Sequence, residues 1–314
     1  SPMVLAFALG LFATLVKSDL RFPDELYTAL TIYLLFAIGL KGGMKLDGMS
    51  LSVVGGPLIA AVALSAVVPI WCFFLLKNVV RLDAINSGAI AAHYGSVSAV
   101  TFSAVLAFLE IGKVPVEGYV PALLAVMEAP AIIVAIYLAM KSNHSGTSQP
   151  GDMKKLFHDL LTGKGILLLL GGLAIGLLCG KKGFEQVAPF FDAPFKGVLT
   201  LFLLEVGLVT GRRLHDLKSA GWRLVAFALI MPVLHGLLGA LVGKWCGLGL
   251  GGTTVLATLA ASASYIAAPA AVRIALPLAS PALYLTSSLA ITFPFNIVLG
   301  IPLYHAFAKF LFTA

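Results

Sequence analysis

Charge is scarce in this sequence. Only 11% of its 314 residues are Asp, Glu, Lys or Arg, far fewer than a water-exposed surface needs. Cysteine is nearly absent too. Cys72, Cys179 and Cys246 all sit in apolar runs with no CxxC spacing, so neither a disulfide framework nor a transition-metal site is expected. Long polar segments are missing, with one exception at Lys141 to Lys155. No GxSxG occurs, and no carboxylate lies close in sequence to the His93/Ser96 pair, so a hydrolase is not expected and the chain is not read as an enzyme. The opening Ser-Pro-Met reads as a trimmed start, and nothing there reads as a cleavable signal peptide.

What the sequence has instead is hydrophobic length. Apolar residues make up 60% of it, the mean hydropathy is +1.01, and runs of about 20 residues, enough to span a hydrocarbon core, recur from end to end. These runs predict an all-α membrane protein of ten spans, near 2–16, 23–40, 50–76, 84–110, 115–140, 156–180, 190–210, 220–246, 251–276 and 281–311. The net charge of +7 then belongs to loops facing anionic headgroups, which removes nucleic acid as a partner and makes membrane lipid one. The polar stretch KSNHSGTSQPGDMKK reads as a flexible connector over 141–155, between a first half at 1–140 and a second at 156–314. Alternating the loops puts Lys17, Arg21, Lys77, Arg81, Arg212, Arg213 and Lys218 on the connector's side, with Lys164, Arg223 and Arg273 toward it. Lys41, Lys45, Lys113, Lys181, Lys182, Lys196, Lys244 and Lys309 fall opposite. The basic excess on the connector's side makes the connector cytoplasmic and both termini external.

The halves repeat one another. GLKGGMKL (39–46) aligns with GLVTGRRL (207–214), and PAIIVAIYL (130–138) with PFNIVLGIP (294–302), at nearly the same offset. With five spans per half the second copy must be inverted, a pattern shared by secondary transporters with interrupted helices. The ninth span carries the interruption ASASYIAAP (261–269). Pro269 removes a helix hydrogen bond and restricts Ala268, which predicts a stop near Tyr265 and a restart at Pro269. The fourth span carries HYGSVSAVTFS (93–103), where Gly95 lets the backbone leave the helix and Ser98 is the expected N-cap of a new one.

Two such helix N-termini facing each other near the midplane would bind a small oxyanion or carboxylate through N–H groups. Gly95, Ser96, Val97, Ser98, Ala99 and Thr101 from the fourth span, with Ala267, Ala268, Pro269 and Ala270 from the ninth, are the expected substrate residues. Ser98, Thr101, Ser262, Ser264, Tyr265 and Glu128 are the expected coupling-ion residues, with Na⁺ the cation that freed carbonyls and hydroxyls suit. The alternative is that Gly, Ser and Pro merely kink packed helices.

At these residues the chain resembles the sodium-dependent bicarbonate permeases described in cyanobacteria, over about 35–309. GSVSAVT (95–101), ASASYIAAPAAVRIALP (261–277), GLKGGM (39–44), PVLHG (232–236) and SPALYLTSSLAI (280–291) carry the likeness. The resemblance implies a 5+5 inverted fold with core and gate domains, a homotrimer in the bacterial inner membrane, Na⁺-coupled bicarbonate uptake, no cofactor, and a PII-like regulatory partner at the cytoplasmic face. The chain departs from the family where Tyr265 replaces an Asp and Ala267-Ala268-Pro269-Ala270 replaces Ser-Gly-Pro-Pro. Those departures keep open a Na⁺- or H⁺-coupled permease for another small carboxylate. A passive anion channel and a non-transporting membrane sensor are the rivals from other classes.

Single residues carry two readings each. Glu128, where the family has Asp, reads as a coupling carboxylate or a packing residue. Glu205 reads as packed or ion-paired. Arg273 either reaches the anion or snorkels toward the cytoplasm. His235, His93 and Asn296 read as hydrogen-bonded bundle residues.

Overall fold

The computed structural model describes residues 2–143, 158, 162–214 and 217–313. The connector from 144 to 155 and the expected start of the sixth span at 156 lie outside the described residues. No strand occurs among the described residues. Seven helical segments there are long and apolar enough to cross a membrane: Asp24–Leu46, Ser52–Val80, Ala84–Ile111, Val120–Ser142, Lys164–Phe191, Ala220–Trp245 and Pro281–Thr313. Pro2–Leu15 and Leu250–Ala261 are shorter apolar helices. Phe195–Arg213, with Lys196, Glu205, Arg212 and Arg213 in its 19 residues, is helical without qualifying. The ten expected spans therefore correspond to helices of unequal membrane-spanning character.

In chain order the helices are α1 (Pro2–Leu15), α2 (Asp24–Leu46), α3 (Leu51–Leu75), α4 (Ala84–Gly95), α5 (Ala99–Ile111) and α6 (Val120–Ser142). They continue as α7 (Lys164–Phe191), α8 (Phe195–Arg213), α9 (Leu217–Trp245), α10 (Leu250–Ala261) and α11 (Ala267–Ala275). The last span holds α12 (Pro281–Leu285), α13 (Phe293–Phe295) and α14 (Ile301–Thr313), joined by π-helical turns at Thr286–Thr292 and Asn296–Gly300. Local chemistry starts these helices. Asp24 and Glu25 occupy the first turn of α2 and Lys45 its last, as the helix dipole favours. Asp83 caps α4 by accepting the Asn86 N–H at 2.9 Å.

Two features depart from the sequence expectation. α7 does not end near 180 but kinks at Gly180 (φ 58°) and runs on to Phe191. Tyr33 and Phe36 hold this extension through ring contacts with Phe191 at 5.5 and 5.4 Å. α9 likewise begins before its expected start and kinks at Gly221 (φ 73°). A positive φ is easy for glycine alone, so each helix changes direction there without ending.

Packing sorts the helices into two groups. α1 lies against α8 and α2 against α7, along glycine seams. A Cβ on Gly43 would sit 2.0 Å from the Leu173 carbonyl oxygen, and one on Gly176 2.2 Å from that of Leu40. Gly207 stands in the same relation to Phe7, at 2.2 Å. Close helix approach through small residues is how packing replaces the hydrophobic effect between helices in lipid. In the second group α3, α4 and α6 pack together, as do α9, α10 and α14. The two sets interlock, since α5 lies on α10 while α11 lies on α4 and α6. Large apolar residues such as Leu178 and Ile59, 86% and 72% exposed, point away from both groups, as lipid-facing side chains do.

Replacing Gly43 by Val should part α2 from α7. Overpacking typically costs about 1–3 kcal/mol, so the melting temperature in detergent should fall and monodisperse elution should be lost. Gly55→Ala, where a Cβ meets nothing within 4 Å, should leave both unchanged.

Candidate functional site

The fourth span is interrupted where the sequence expects. α4 ends at Gly95, whose absent Cβ would lie 2.6 Å from Pro69 Cδ and 2.8 Å from the Ala131 methyl. Ser96 (φ −81°, ψ 171°) and Ser98 (φ −111°, ψ 115°) are extended. Ser98 is the N-cap of α5, its Oγ accepting the Thr101 N–H at 3.2 Å. Ser96 Oγ donates to the Glu128 carbonyl at 3.0 Å, tying the interruption to α6.

The ninth span is interrupted earlier than proline chemistry alone predicts. α10 stops at Ala261 rather than near Tyr265, and α11 starts at Ala267 rather than Pro269. The reason is tertiary. Asn296 Nδ2 donates to the Ala261 carbonyl at 2.8 Å, and Tyr304 Oη donates to Asn296 Oδ1 at 2.8 Å. The Ala261 carbonyl, which the Tyr265 N–H would take in a continuous helix, has Asn296 as its donor instead. Ser262 Oγ turns back onto the Leu259 carbonyl at 2.8 Å. Pro269, third residue of α11, occupies a first-turn position where a helix has no use for its N–H. Ser264 Oγ accepts the Ala268 N–H at 3.3 Å.

The two interruptions are bonded to each other. The Ser98 N–H donates to Ser262 Oγ at 3.0 Å, and the Ser264 N–H donates to the His93 carbonyl at 2.8 Å. Each break thereby supplies partners that lipid cannot. Beside this crossing, Val97, Ser98, Ala99, Ser264, Tyr265 and Ile266 join Glu128 and Leu35 of α2 around a cavity of about 10 Å³. That is room for about one water molecule, so the site is closed around any larger anion.

The expected residues divide accordingly. Val97, Ser98, Ala99, Ser264, Tyr265 and Glu128 line the cavity. Gly95, Ser96, Thr101, Ser262, Ala267, Ala268 and Pro269 build its surroundings. Ala270 is exposed and stands apart, because the fourth residue of α11 has turned away from the interruption. Glu128 is 8% exposed, and no hydrogen bond or ion pair reaches its carboxylate among the described residues. A Cβ on Gly165 would sit 3.4 Å from Glu128 Oε1 and 3.9 Å from Ala267 Cβ, so the first turn of α7 abuts both. The Tyr265 ring meets Phe293 edge-on at 5.4 Å. Its hydroxyl is buried without a hydrogen-bond partner among the described residues.

Other candidates lie elsewhere. Arg273 is exposed on α11 and does not line the cavity. His235 Nε2 accepts the Trp71 indole N–H at 2.8 Å, as a bundle histidine does. His93 Nδ1 donates to the Ala89 carbonyl at 2.7 Å, and its ring stacks on Tyr284 at 4.7 Å. Glu205 is 4% exposed, with Oε2 unpartnered among the described residues. Sequence reasoning missed the Asn296–Tyr304 clamp as a determinant of the break. A polar amide inside an apolar run, with a tyrosine eight residues on, was the available signal. No group of three metal-ligating side chains occurs among the described residues.

The family model described as the Na⁺-dependent bicarbonate transporter superfamily matches residues 2–309, nearly the whole chain. A comparison with curated proteins finds no match.

Asn296→Ala should strip the Ala261 carbonyl of its donor and leave the Tyr304 hydroxyl without its acceptor. Each buried group so orphaned costs about 1–3 kcal/mol. The detergent melting temperature should drop by several degrees, with Tyr304→Phe showing the smaller part of the loss.

Proposed function

Because the chain belongs to the Na⁺-dependent bicarbonate transporter superfamily, we propose that it is a multi-pass secondary active transporter carrying a small anion inward, with bicarbonate as substrate and Na⁺ as the coupling ion. The observation that carries this reading is the hydrogen-bonded crossing of two interrupted helices, Ser98 to Ser262 and Ser264 to His93. The N-cap Ser98 and first residue Ala99 of α5, with Ile266 at the N-cap of α11, border one small cavity there. Backbone N–H groups at helix starts favour negative charge without a full cation. Bringing an anion into a negative interior costs about 2.3 kcal/mol per 100 mV, which a cotransported cation cancels.

In this reading the chain is a 5+5 inverted repeat, 1–140 and 156–314, with the cytoplasmic connector at 141–155 between them. α1, α2, α7 and α8 form the gate, and the remaining helices form the core that carries the site. Seven of the eight cavity residues belong to the core and one, Leu35, to the gate. Substrate access therefore comes from moving the core past the α2 face. The homotrimer, the inner-membrane location with external termini, and the PII-like partner at the connector extend the family reading to this chain.

Glu128 is the coupling carboxylate of this proposal. It lines the cavity, has no protein cation among the described residues, and faces the first turn of α7. A second reading, a Na⁺- or H⁺-coupled permease for another small carboxylate, is supported by Tyr265, which lines the cavity and whose buried hydroxyl has no hydrogen-bond partner among the described residues.

The test is uptake into proteoliposomes, with labelled bicarbonate set against a panel of small carboxylates under imposed Na⁺ or H⁺ gradients. Uphill bicarbonate accumulation driven by Na⁺ is expected. Accumulation of another carboxylate alone selects the second reading, and purely downhill flux indifferent to either gradient selects a channel. Glu128→Gln should flatten the Na⁺ dependence, and an unchanged Na⁺ and pH profile would remove it from coupling.

Tyr265→Asp should raise Na⁺ stimulation by placing a carboxylate beside Ser98 and Ser264. A Na⁺ response equal to wild type would show that this position does not contact the cation.

A further inference from the structure

Two larger hollows lie away from the interruptions. One, about 480 Å³, sits between α2, the end of α5, the start of α6 and the α7–α8 junction, and its three lysines and three carboxylates balance. The other, about 400 Å³, is a crevice along the outer face of α3. Val67, Ile70, Phe74 and Val79, 38% to 60% exposed, line it with Trp71 and Asn78. From Val67 to Val79 the stripe rises about 18 Å, slightly more than half of a hydrocarbon core of roughly 30 Å. An acyl chain fits such a stripe along its whole length.

One end of the crevice is basic. There α3 passes into the π-helical turn Leu76–Val80 and stops at Arg81, with Lys77 and Arg81 exposed. α9 packs on this turn. His235 takes the Trp71 indole N–H, while Leu224, Phe227 and Met231 share an apolar cluster with Leu76. α9 therefore runs antiparallel to α3 and brings Arg223 to the level of Lys77 and Arg81. Trp222 and Trp245, 75% and 80% exposed at the two ends of the span Ala220–Trp245, mark the two headgroup levels. Arg223 lies over the Trp222 ring at 5.7 Å, which sets the basic end of the crevice at one of those levels.

The charge there does not cancel. Asp83 is the sole acidic residue of α3, α4, α9 and the turn between α3 and α4, and it keeps its negative charge while capping α4. Lys77, Arg81 and Arg223 outnumber it by two, and none of the three forms an ion pair among the described residues. By sequence, Asp216 and Lys218 beside the start of α9 add one charge of each sign. A basic pocket between membrane helices at headgroup level suits an anionic lipid. A zwitterionic lipid carries its own ammonium beside the phosphate and gains little from the excess.

We propose that this crevice binds an anionic glycerophospholipid, one acyl chain along the α3 stripe and the phosphate among Lys77, Arg81 and Arg223. The site needs the membrane but no particular cargo, so it stands or falls apart from the transport reading.

Trp71, on the crevice wall, is the reporter. The full chain carrying Trp222→Phe and Trp245→Phe is reconstituted in phosphatidylcholine vesicles, and lipid brominated on its acyl chains is titrated in to quench the indole on contact. Brominated phosphatidylglycerol should quench Trp71 at a lower mole fraction than brominated phosphatidylcholine. Lys77→Gln and Arg81→Asn should each weaken the phosphatidylglycerol response about fivefold; asparagine is chosen because position 81 has a positive φ (70°). Lys113→Asn, the matched change at φ 52° beyond the far end of α5, should leave it unchanged. Equal quenching by the two lipids, an unaltered titration in both variants, or an equal loss in Lys113→Asn would each overturn the proposal. So would a Trp71 that neither lipid quenches, since protein would then cover this face.

Discussion

Backbone hydrogen bonding at membrane depth is the constraint on which the rest of the structure depends. Opening a helix in hydrocarbon strands N–H and C=O groups that lipid cannot satisfy. This chain opens two and settles the account within the protein. Ser98 donates its N–H to Ser262 Oγ, Ser264 donates its own to the His93 carbonyl, and Asn296 takes the Ala261 carbonyl. Serine hydroxyls then cap the helices that restart, Ser98 for Thr101 and Ser264 for Ala268. Neither interruption is satisfied wholly by its own segment, and two of the bonds join one to the other, so each depends in part on the other being in place. That mutual dependence is why the halves must interlock, with α5 on α10 and α11 on α4 and α6.

The second group of helices answers a different need. Between helices in lipid there is little hydrophobic gain, so α1, α2, α7 and α8 associate by close backbone approach. Gly43 and Gly176 bring α2 and α7 into contact, and Gly207 does the same for α8 and α1. Stiff glycine seams on one side and a hydrogen-bonded crossing on the other make two bodies with distinct internal cohesion. Their shared boundary is thinner, and two of the cavities lie along it: the small one against Leu35, the chamber of about 480 Å³ against Ile38, Lys41 and Lys45, all on α2.

Where local chemistry decides, the sequence was a sufficient guide. A Gly-Ser-x-Ser run carries its own exit and its own cap, so the first interruption falls at Gly95 with Ser98 as N-cap. Gly39, Gly43, Gly207 and Gly211 stand out in the sequence only as matched positions of the repeat, and the fold shows them as points of close helix approach. The second interruption was placed several residues late. Proline says that a helix cannot pass through Ala268 unbroken, but not how far back it unravels. That distance is set by Asn296 and Tyr304, some thirty-five residues further along the chain and adjacent only in the fold. The continuation of α7 past Gly180 was illegible for a related reason. Lys181 and Lys182 look like a loop, and only the aromatic contacts of Phe191 with Tyr33 and Phe36 show that the chain stays helical there.

The paired charges of the larger chamber were equally hidden. As sequence, Lys41, Lys45 and Lys196 are three basic residues that count alike toward topology. As structure, they differ. Asp192 and Glu110 reach Lys41 and Lys196 from segments distant in sequence, while Glu117, which lines the same cavity as Lys45, accepts the Gly249 N–H at the start of α10. Accepting that neutral N–H leaves Glu117 its full negative charge, so three lysines and three carboxylates share one wall. The balance is a product of the fold, because carboxylates from α5, the α5–α6 loop and the α7–α8 junction meet lysines that lie far from them in sequence.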